Sequence, residues 1–337
     1  MSAPRLSLES AALASNWRAL AAASGAAACG AAIKADGYGL GAAPVLAVLT
    51  AAGCQDFFVA SWAEAQALGP LPPGARVAVL HGITPQDMAL AQSLGPQMVP
   101  VLNTPAQISL WASTGRDADL MVDTGMNRLG LGMADLAAAH AVKIHTLHSH
   151  LACADEPAHP LNKLQRARLH EVAAQVPAAR RALANTAGIK LGPDWHFDLT
   201  RPGLGLYGGT ADTAPVVRLL APVVQLRDVP AGASIGYGAS FIAKAPLKVA
   251  VAALGYADGY PRALQTWGHA HINGITCPVV GRVSMDLIII DVSAVPDLAE
   301  GDHVELAFDL PAAAHASGRT EYELLTGLGA RYVRTWS

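Results

Sequence analysis

Ala31-Ala32-Ile33-Lys34-Ala35-Asp36-Gly37-Tyr38-Gly39 decides the reading of this chain: an apolar, strand-like run ends on a lysine, and a glycine-rich turn follows at once. Of the six lysines, Lys143 precedes an apolar run, Lys163 lies in a helical pattern, Lys190 is beside Gly192-Pro193, and Lys244 and Lys248 flank Pro246. Only Lys34 stands where strand becomes loop. An amine there is partly removed from water, which lowers its pKa and makes it a usable imine-forming nucleophile. The competing reading is a surface lysine that closes a strand.

Outward from that stretch, short apolar runs alternate with helical patterns. The runs predict strands over Cys29 to Ile33, Phe57 to Ala60, Arg76 to His81, Gln97 to Val101, Ala118 to Asp123, His145 to Leu151 and Arg181 to Asn185, with a short one ending near Arg201. Helix-like segments lie between them, as at Ala42 to Ala52, Ala63 to Leu68, Pro85 to Leu94, Thr104 to Ser113 and Asn162 to Gln175. Several open on Ser, Thr or Pro, as helix starts require. Eight strands alternating with helices fit a parallel (β/α)8 TIM-type barrel, whose chemistry sits at the C-terminal ends of the strands. From Pro215 onward, β-branched runs separated by Gly, Pro and Asp predict a mostly β second domain, with one late helix from about Glu321 to Leu328. The domains are therefore expected at 1–214 and 215–337.

A chain of 337 residues can bury a large core, and its net charge of -3 is spread without long runs of one sign. Nothing in that pattern argues for a nucleic-acid or membrane surface. Cys29, Cys54, Cys153 and Cys277 form no CxxC and no regular framework, so free thiols in a reducing compartment, the cytoplasm, are expected. The first residues show no basic region followed by an apolar core, which predicts no secretory signal.

On a barrel the polar strand ends converge on one face. Lys34 ends the first strand, Arg128 follows the fifth, His150 ends the sixth, Asn185 and Thr186 end the seventh, and Arg201 ends the eighth. The loops after strands seven and eight, where barrels commonly bind phosphate, offer Thr186-Ala187-Gly188 and Pro202-Gly203-Leu204. An imine-forming lysine, a phosphate cradle and an arginine between them suggest pyridoxal 5'-phosphate.

Six stretches carry a resemblance to a known family. They are Lys34 to Gly41, Asp123-Thr124-Gly125-Met126-Asn127-Arg128-Leu129-Gly130, His150 to Asp155, Arg201 to Gly208, Gly255-Tyr256-Ala257-Asp258-Gly259-Tyr260-Pro261-Arg262, and Gly281 to Asp286. In that order, over almost the whole chain, they resemble the pyridoxal-phosphate-dependent, two-domain alanine racemases. The resemblance implies a cytoplasmic homodimer that interconverts L- and D-alanine, a cell-wall precursor, by a two-base mechanism. Lys34 would hold the cofactor and serve one face of the substrate, and Tyr256 of the partner subunit the other. Arg201 would face the pyridine nitrogen; a guanidinium cannot take up the ring's proton, so the ring nitrogen stays unprotonated. His150 would lie against that arginine. Tyr38, Thr186, Gly203, Leu204 and Tyr322 would hold the phosphate, and Arg128 with the backbone of Met285 the substrate carboxylate, for which arginine's planar fork is suited. No metal is implied.

Three positions depart from the family's pattern. Leu40 stands where a histidine is common, Asn127 where glycine is usual, and Met121 where many members carry a lysine whose carbamate orients the substrate arginine. Other readings remain open. A serine or broad-specificity racemase is the nearest. A metal-dependent barrel hydrolase would use His148 and His150 on one strand face, with His145, Asp155 and His159 nearby. A non-catalytic pyridoxal-phosphate carrier would keep Lys34 but have no need of Gly255 to Arg262.

Overall fold

The computed structural model of the chain describes residues 3–337. It separates into two compact units, Ala14–Leu206 and a second made of the residues up to Leu13 with Tyr207–Ser337.

Ala14–Leu206 is the expected parallel barrel. Its first strand is interrupted at Gly30: Ala28–Cys29 pairs with Leu199–Thr200, and Ala31–Ala32 with Asp56–Val59. Arg76–Val79, Met98–Leu102, Ala118–Met121, Ile144–His148 and Ala178–Ala182 follow in order, each parallel to its neighbour, until Leu199–Thr200 closes the ring. With the split strand counted once, the number and order are as predicted, but the sixth and seventh strands end at His148 and Ala182, short of the expected Leu151 and Asn185. The helices begin where the sequence supplies caps: Ser61 accepts from the Glu64 amide ahead of Trp62–Ala67, and Thr104 from the Gln107 amide ahead of Pro105–Ala112.

The barrel interior is layered. Side chains two apart on a strand share a face, so Asp56 and Phe58, Arg76 and Ala78, Asp119 and Met121, and Arg180 and Ala182 stack in pairs. The lower members are ion pairs, Arg180 with Asp56 at 2.6 Å and Arg76 with Asp119 at 2.7 Å. The upper members form an apolar layer of Phe58, Ala78, Val101, Met121, Ala182 and Leu199. Lys34, His150 and Arg201 belong to the strand ends above it.

In the second unit the 13-residue strand Val217–Val229 is the spine. It pairs antiparallel with Leu247–Ala252 and with His303–Leu306. Ile288–Asp291 extends one side, and the hairpin His269–Ile272 with Ile275–Pro278 the other. The late helix is Glu321–Thr326, and a second helix not read from sequence, Leu310–Ser317, starts on an Asp309 cap.

The expected boundary after residue 214 needs correction. Arg5–Leu8 is a strand of the β unit, antiparallel to Val217–Leu220 and parallel to Val333–Trp336. Its alternation places Leu6 and Leu8 fully inside. Residues 207–214 likewise belong with the second unit.

Candidate active site

Lys34 is half-buried at the end of the first strand, and the backbone beyond it turns the wrong way round. Ala35, Asp36, Gly37 and Tyr38 have φ of 53°, 52°, 62° and 56°, a left-handed turn that Gly39 completes at 86°. Left-handed geometry costs a non-glycine residue about 1–2 kcal/mol, so Ala35, Asp36 and Tyr38 together store roughly 3–6 kcal/mol. Local polar contacts offset this. Glu64 accepts the Ala35 amide at 3.0 Å and the Ala60 amide at 2.7 Å. Asp36 accepts the Ala42 amide at 2.8 Å and so caps the next helix. The strained turn fixes where Lys34 leaves the strand and tucks Tyr38 inward.

The loops after strands seven and eight meet this turn. Thr186 Oγ1 accepts from the amides of Gly203 at 3.1 Å and Gly205 at 3.2 Å, while Asn185 caps its own helix at the Gly188 amide. A Cβ at Gly203 would overlap the Tyr38 hydroxyl. Tyr38, Thr186, Gly203 and buried Leu204 are thereby brought together, with the Gly203 and Gly205 amides tied to Thr186 and the Tyr38 hydroxyl against Gly203.

Arg201 is buried beside them. Its Nη2 donates to Ser149 O at 2.7 Å and toward His150 Nδ1 at 3.4 Å, and its Nη1 donates to His148 Nδ1 at 3.4 Å. Burial pushes Arg201 down to about 10, which leaves it charged at neutral pH. His150 is pushed down to about 3 by burial and then by the charges of Arg201, Arg128 and Lys34. The Lys34 amine is lowered by burial first and by Arg128 second, with Glu64 opposing. An amine and two guanidiniums thus share one mouth, and among the described residues none of the three has an ion-pair partner.

Arg128 is exposed on a loop that Asp123 shapes: its Oδ1 accepts from Gly125, Met126 and Asn127 at 2.8, 2.9 and 3.1 Å. Met121 is 8% exposed within the apolar layer. It offers Arg128 no polar contact, and the anchored loop is what positions the arginine's backbone.

The three remaining candidates lie in the β unit. Tyr256 and Met285 are held together, because the Tyr256 amide donates to Ser284 O and the Ala257 amide to Met285 O, each at 3.0 Å. There is no room for a Cβ at Gly255 against those carbonyls. Arg331 grips Asp258 at 2.8 and 2.9 Å and Asp286 at 2.7 Å, the acids that follow the two exposed side chains. Tyr322 is exposed on Glu321–Thr326, and just past that helix the Gly329 amide donates to Asp258 O.

Sequence reasoning missed the bracing groups Glu64, Asp119 and Arg331. Asp119 carried a signal, a lone acid inside the apolar run Ala118 to Val122. His148, a candidate metal ligand by position, has both ring nitrogens committed, to Asp119 and to Arg201. Among the described residues no group of three His, Cys, Asp or Glu side chains is placed to hold a metal.

A parallel barrel with this cationic mouth, joined in one chain to a β unit that presents an exposed tyrosine, defines a two-domain barrel enzyme. The family described as alanine racemase, N-terminal domain, matches residues 8–211, and alanine racemase, C-terminal domain, matches 216–336. The alanine racemase of Rhodospirillum rubrum is 46% identical, over 96% of this chain and 93% of that one. A catabolic alanine racemase of Agrobacterium fabrum is 42% identical, over 98% and 91%. The crystal structure of alanine racemase from Bartonella henselae, with covalently bound pyridoxal phosphate, covers all of both chains at a TM-score of 0.89 and 35% identity. The chain belongs to the alanine racemase family.

Proposed function

We propose that this chain is an amino-acid racemase that interconverts L- and D-alanine with pyridoxal 5'-phosphate, in a homodimer whose active sites each draw on both subunits. The observation that carries the reading is the barrel mouth, where Lys34, Arg128 and Arg201 converge beside Thr186 and Gly203 and, among the described residues, none of the three cations is paired with a carboxylate. That donor set fits the cofactor. The close approach of the Tyr38 hydroxyl to Gly203 brings a hydroxyl and a side-chain-free backbone together, which suits a phosphate, and the lowered Lys34 amine suits covalent attachment through a carbonyl.

Once bound, the cofactor supplies the electron withdrawal that makes the α proton removable. Tyr38, Thr186, Gly203, Leu204 and Tyr322 would hold its phosphate. Arg201, a permanent cation, would donate toward the pyridine nitrogen and take no proton from it, which favours return of the proton to the α carbon. His150, neutral at working pH, would steady Arg201. Arg128 and the Met285 backbone would orient the substrate carboxylate. Lys34 would move the proton on one face, and Tyr256 of the partner subunit on the other.

The four free cysteines suit a reducing compartment, and we assign the chain to the cytoplasm. No helix among the described residues is long and apolar enough to cross a membrane.

The test is subunit complementation. Lys34→Ala and Tyr256→Phe should each racemise poorly. Unfolded together and refolded, half the dimers are mixed, and each mixed dimer holds one site with both residues intact. Activity should recover to roughly a quarter of wild type per chain, as two-fold symmetric exchange requires. With chain exchange confirmed by mass, no recovery would refute the shared site. Racemisation across a panel including serine decides the substrate.

A further inference from the structure

We propose that His148 is a positioning residue for Arg201, a strut that ties the arginine of the mouth to the Arg76–Asp119 pair at the closed end of the barrel. His148 is fully buried and crosses the apolar layer, its ring edge-on to Phe58 at 5.8 Å between centroids. Its Nε2 meets Asp119 Oδ2 at 3.1 Å, and its Nδ1 receives Arg201 Nη1 at 3.4 Å.

The direction of every bond in this chain is fixed by chemistry. Asp119 accepts both Arg76 Nη groups, at 2.8 and 2.7 Å, and the Thr146 amide at 2.9 Å. Those donors, with His148, hold its carboxyl well below the usual carboxylate range against the opposing effect of burial. An ionised carboxylate only accepts, so the His148 proton sits on Nε2 and Nδ1 is left as an acceptor. Burial pushes His148 down to about 4, and the ring stays neutral at working pH. A guanidinium only donates. The relay Arg76 to Asp119, His148 to Asp119 and Arg201 to His148 therefore has one arrangement of protons.

Arg201 needs that anchor. Nη2 is held by the Ser149 carbonyl, but His148 Nδ1 is the acceptor facing Nη1. Without it the buried Nη1 loses its acceptor, and the guanidinium is held from the Nη2 side alone, by Ser149 O, His150 Nδ1 and Leu183 O. This inference rests on the reading that Arg201 faces the cofactor's ring nitrogen, because only then does its orientation govern turnover.

Two variants of the holoenzyme test it. His148→Phe keeps the volume and removes both bonds; His148→Gln can still donate to Asp119 and accept from Arg201. The phenylalanine variant should lose roughly 10- to 100-fold in kcat, what one hydrogen bond to a charged group is worth. Its KM for alanine should change little, the bound cofactor's visible absorption should shift, and glutamine should restore most of both. Combined with Arg201→Lys, the phenylalanine change should add little, since both act through one group. A phenylalanine variant that melts earlier but keeps kcat and spectrum, or effects that multiply independently, would overturn the strut. Nitrogen-15 NMR of the wild type should find His148 as the neutral Nε2–H tautomer at pH 7. The opposite tautomer overturns the proposal even if the variants fail to fold. Failure of the wild type to racemise alanine would sink the functional reading and leave that tautomer test standing.

Discussion

The two ends of the barrel interior carry the same residue types in opposite arrangements. At the N-terminal end every inward arginine meets an aspartate side-on: Arg76 with Asp119 and Arg180 with Asp56, each through two bonds of 2.6–2.9 Å. At the C-terminal end Lys34, Arg128 and Arg201 stand together, and among the described residues none has a paired acid. Burial first and then the charge of Arg128 lower the Lys34 amine, a cost that a stability-driven arrangement would remove by supplying a paired carboxylate. The paired end is neutralised within the barrel, and the other end keeps an excess of positive charge. Barrels divide their two faces between stability and chemistry in this sense.

That contrast is broken most sharply at Lys34. Removing the amine should abolish the bound cofactor's visible absorption and lower racemisation by at least roughly 100-fold, the lower range for a proton-transferring group. The protein should melt no earlier, because the amine satisfies no buried partner. An absorption band that survives Lys34→Ala and disappears only on changing another lysine would place the reactive amine elsewhere.

Asp119→Leu attacks the closed end and, unlike the Lys34 change, should cost stability before anything else. It leaves Arg76 without its acceptor and the His148 Nε2–H facing carbon, and breaking a buried pair from one side costs about 3–5 kcal/mol. Urea unfolding should show that loss. If stability is unchanged, the lower layer is not the structural end.

Acid should reach the closed end and the mouth together. His148 and His150 titrate at about 4 and about 3 in the folded chain, against an ordinary 6.5. Through that window the unfolded chain binds more protons than the folded one. Stability should therefore fall as pH drops below about 6.5, by up to about 1.4 kcal/mol per pH unit for each histidine. Asp119 adds a further loss below the ordinary carboxylate range, since its depressed folded pKa contributes only while the unfolded chain would be ionised. Unfolding curves at pH 7, 6, 5 and 4 would read the slope, and a flat line from 6.5 to 4 contradicts the neutral assignment of both rings.

The legibility of the sequence follows the same division. The eight strands and the mouth residues could be read because Lys34, His150 and Arg201 lie just past strand ends, where a polar group follows an apolar run, a local signal. The ion-paired floor could not, since Arg76 and Asp119 are 43 positions apart and Asp56 and Arg180 are 124 apart. Only ring closure makes them neighbours. Arg5–Leu8 falls within the expected first domain for the same reason, since its partners at Val217 and Val333 lie far along the chain. The left-handed turn after Lys34 was half legible. Gly37 and Gly39 announced it, while Ala35, Asp36 and Tyr38 adopt it against their own preference because Glu64 and the Ala42 amide hold them there.

The smallest expected effect separates the two ends most finely. Arg128 is exposed and without a partner among the described residues, and its loop is held by the Asp123 carboxylate and by Arg168, whose Nη1 donates to Thr124 O at 3.0 Å. Met121, buried in the apolar layer, supplies no orienting group. Arg128→Lys keeps the charge and loses the planar fork, so the substrate carboxylate would be held by one point contact in place of two. Ground and transition states share that contact, and its loss should raise the KM for alanine roughly tenfold with kcat nearly unchanged. Stability should stay within about 0.5 kcal/mol, as for a surface change away from packing. A fall in kcat at constant KM would mean that Arg128 acts on the proton transfer. A drop of several degrees in Tm would instead make it part of the barrel's structure, and the mouth would no longer be the end of the barrel where charge is kept unpaired for a ligand.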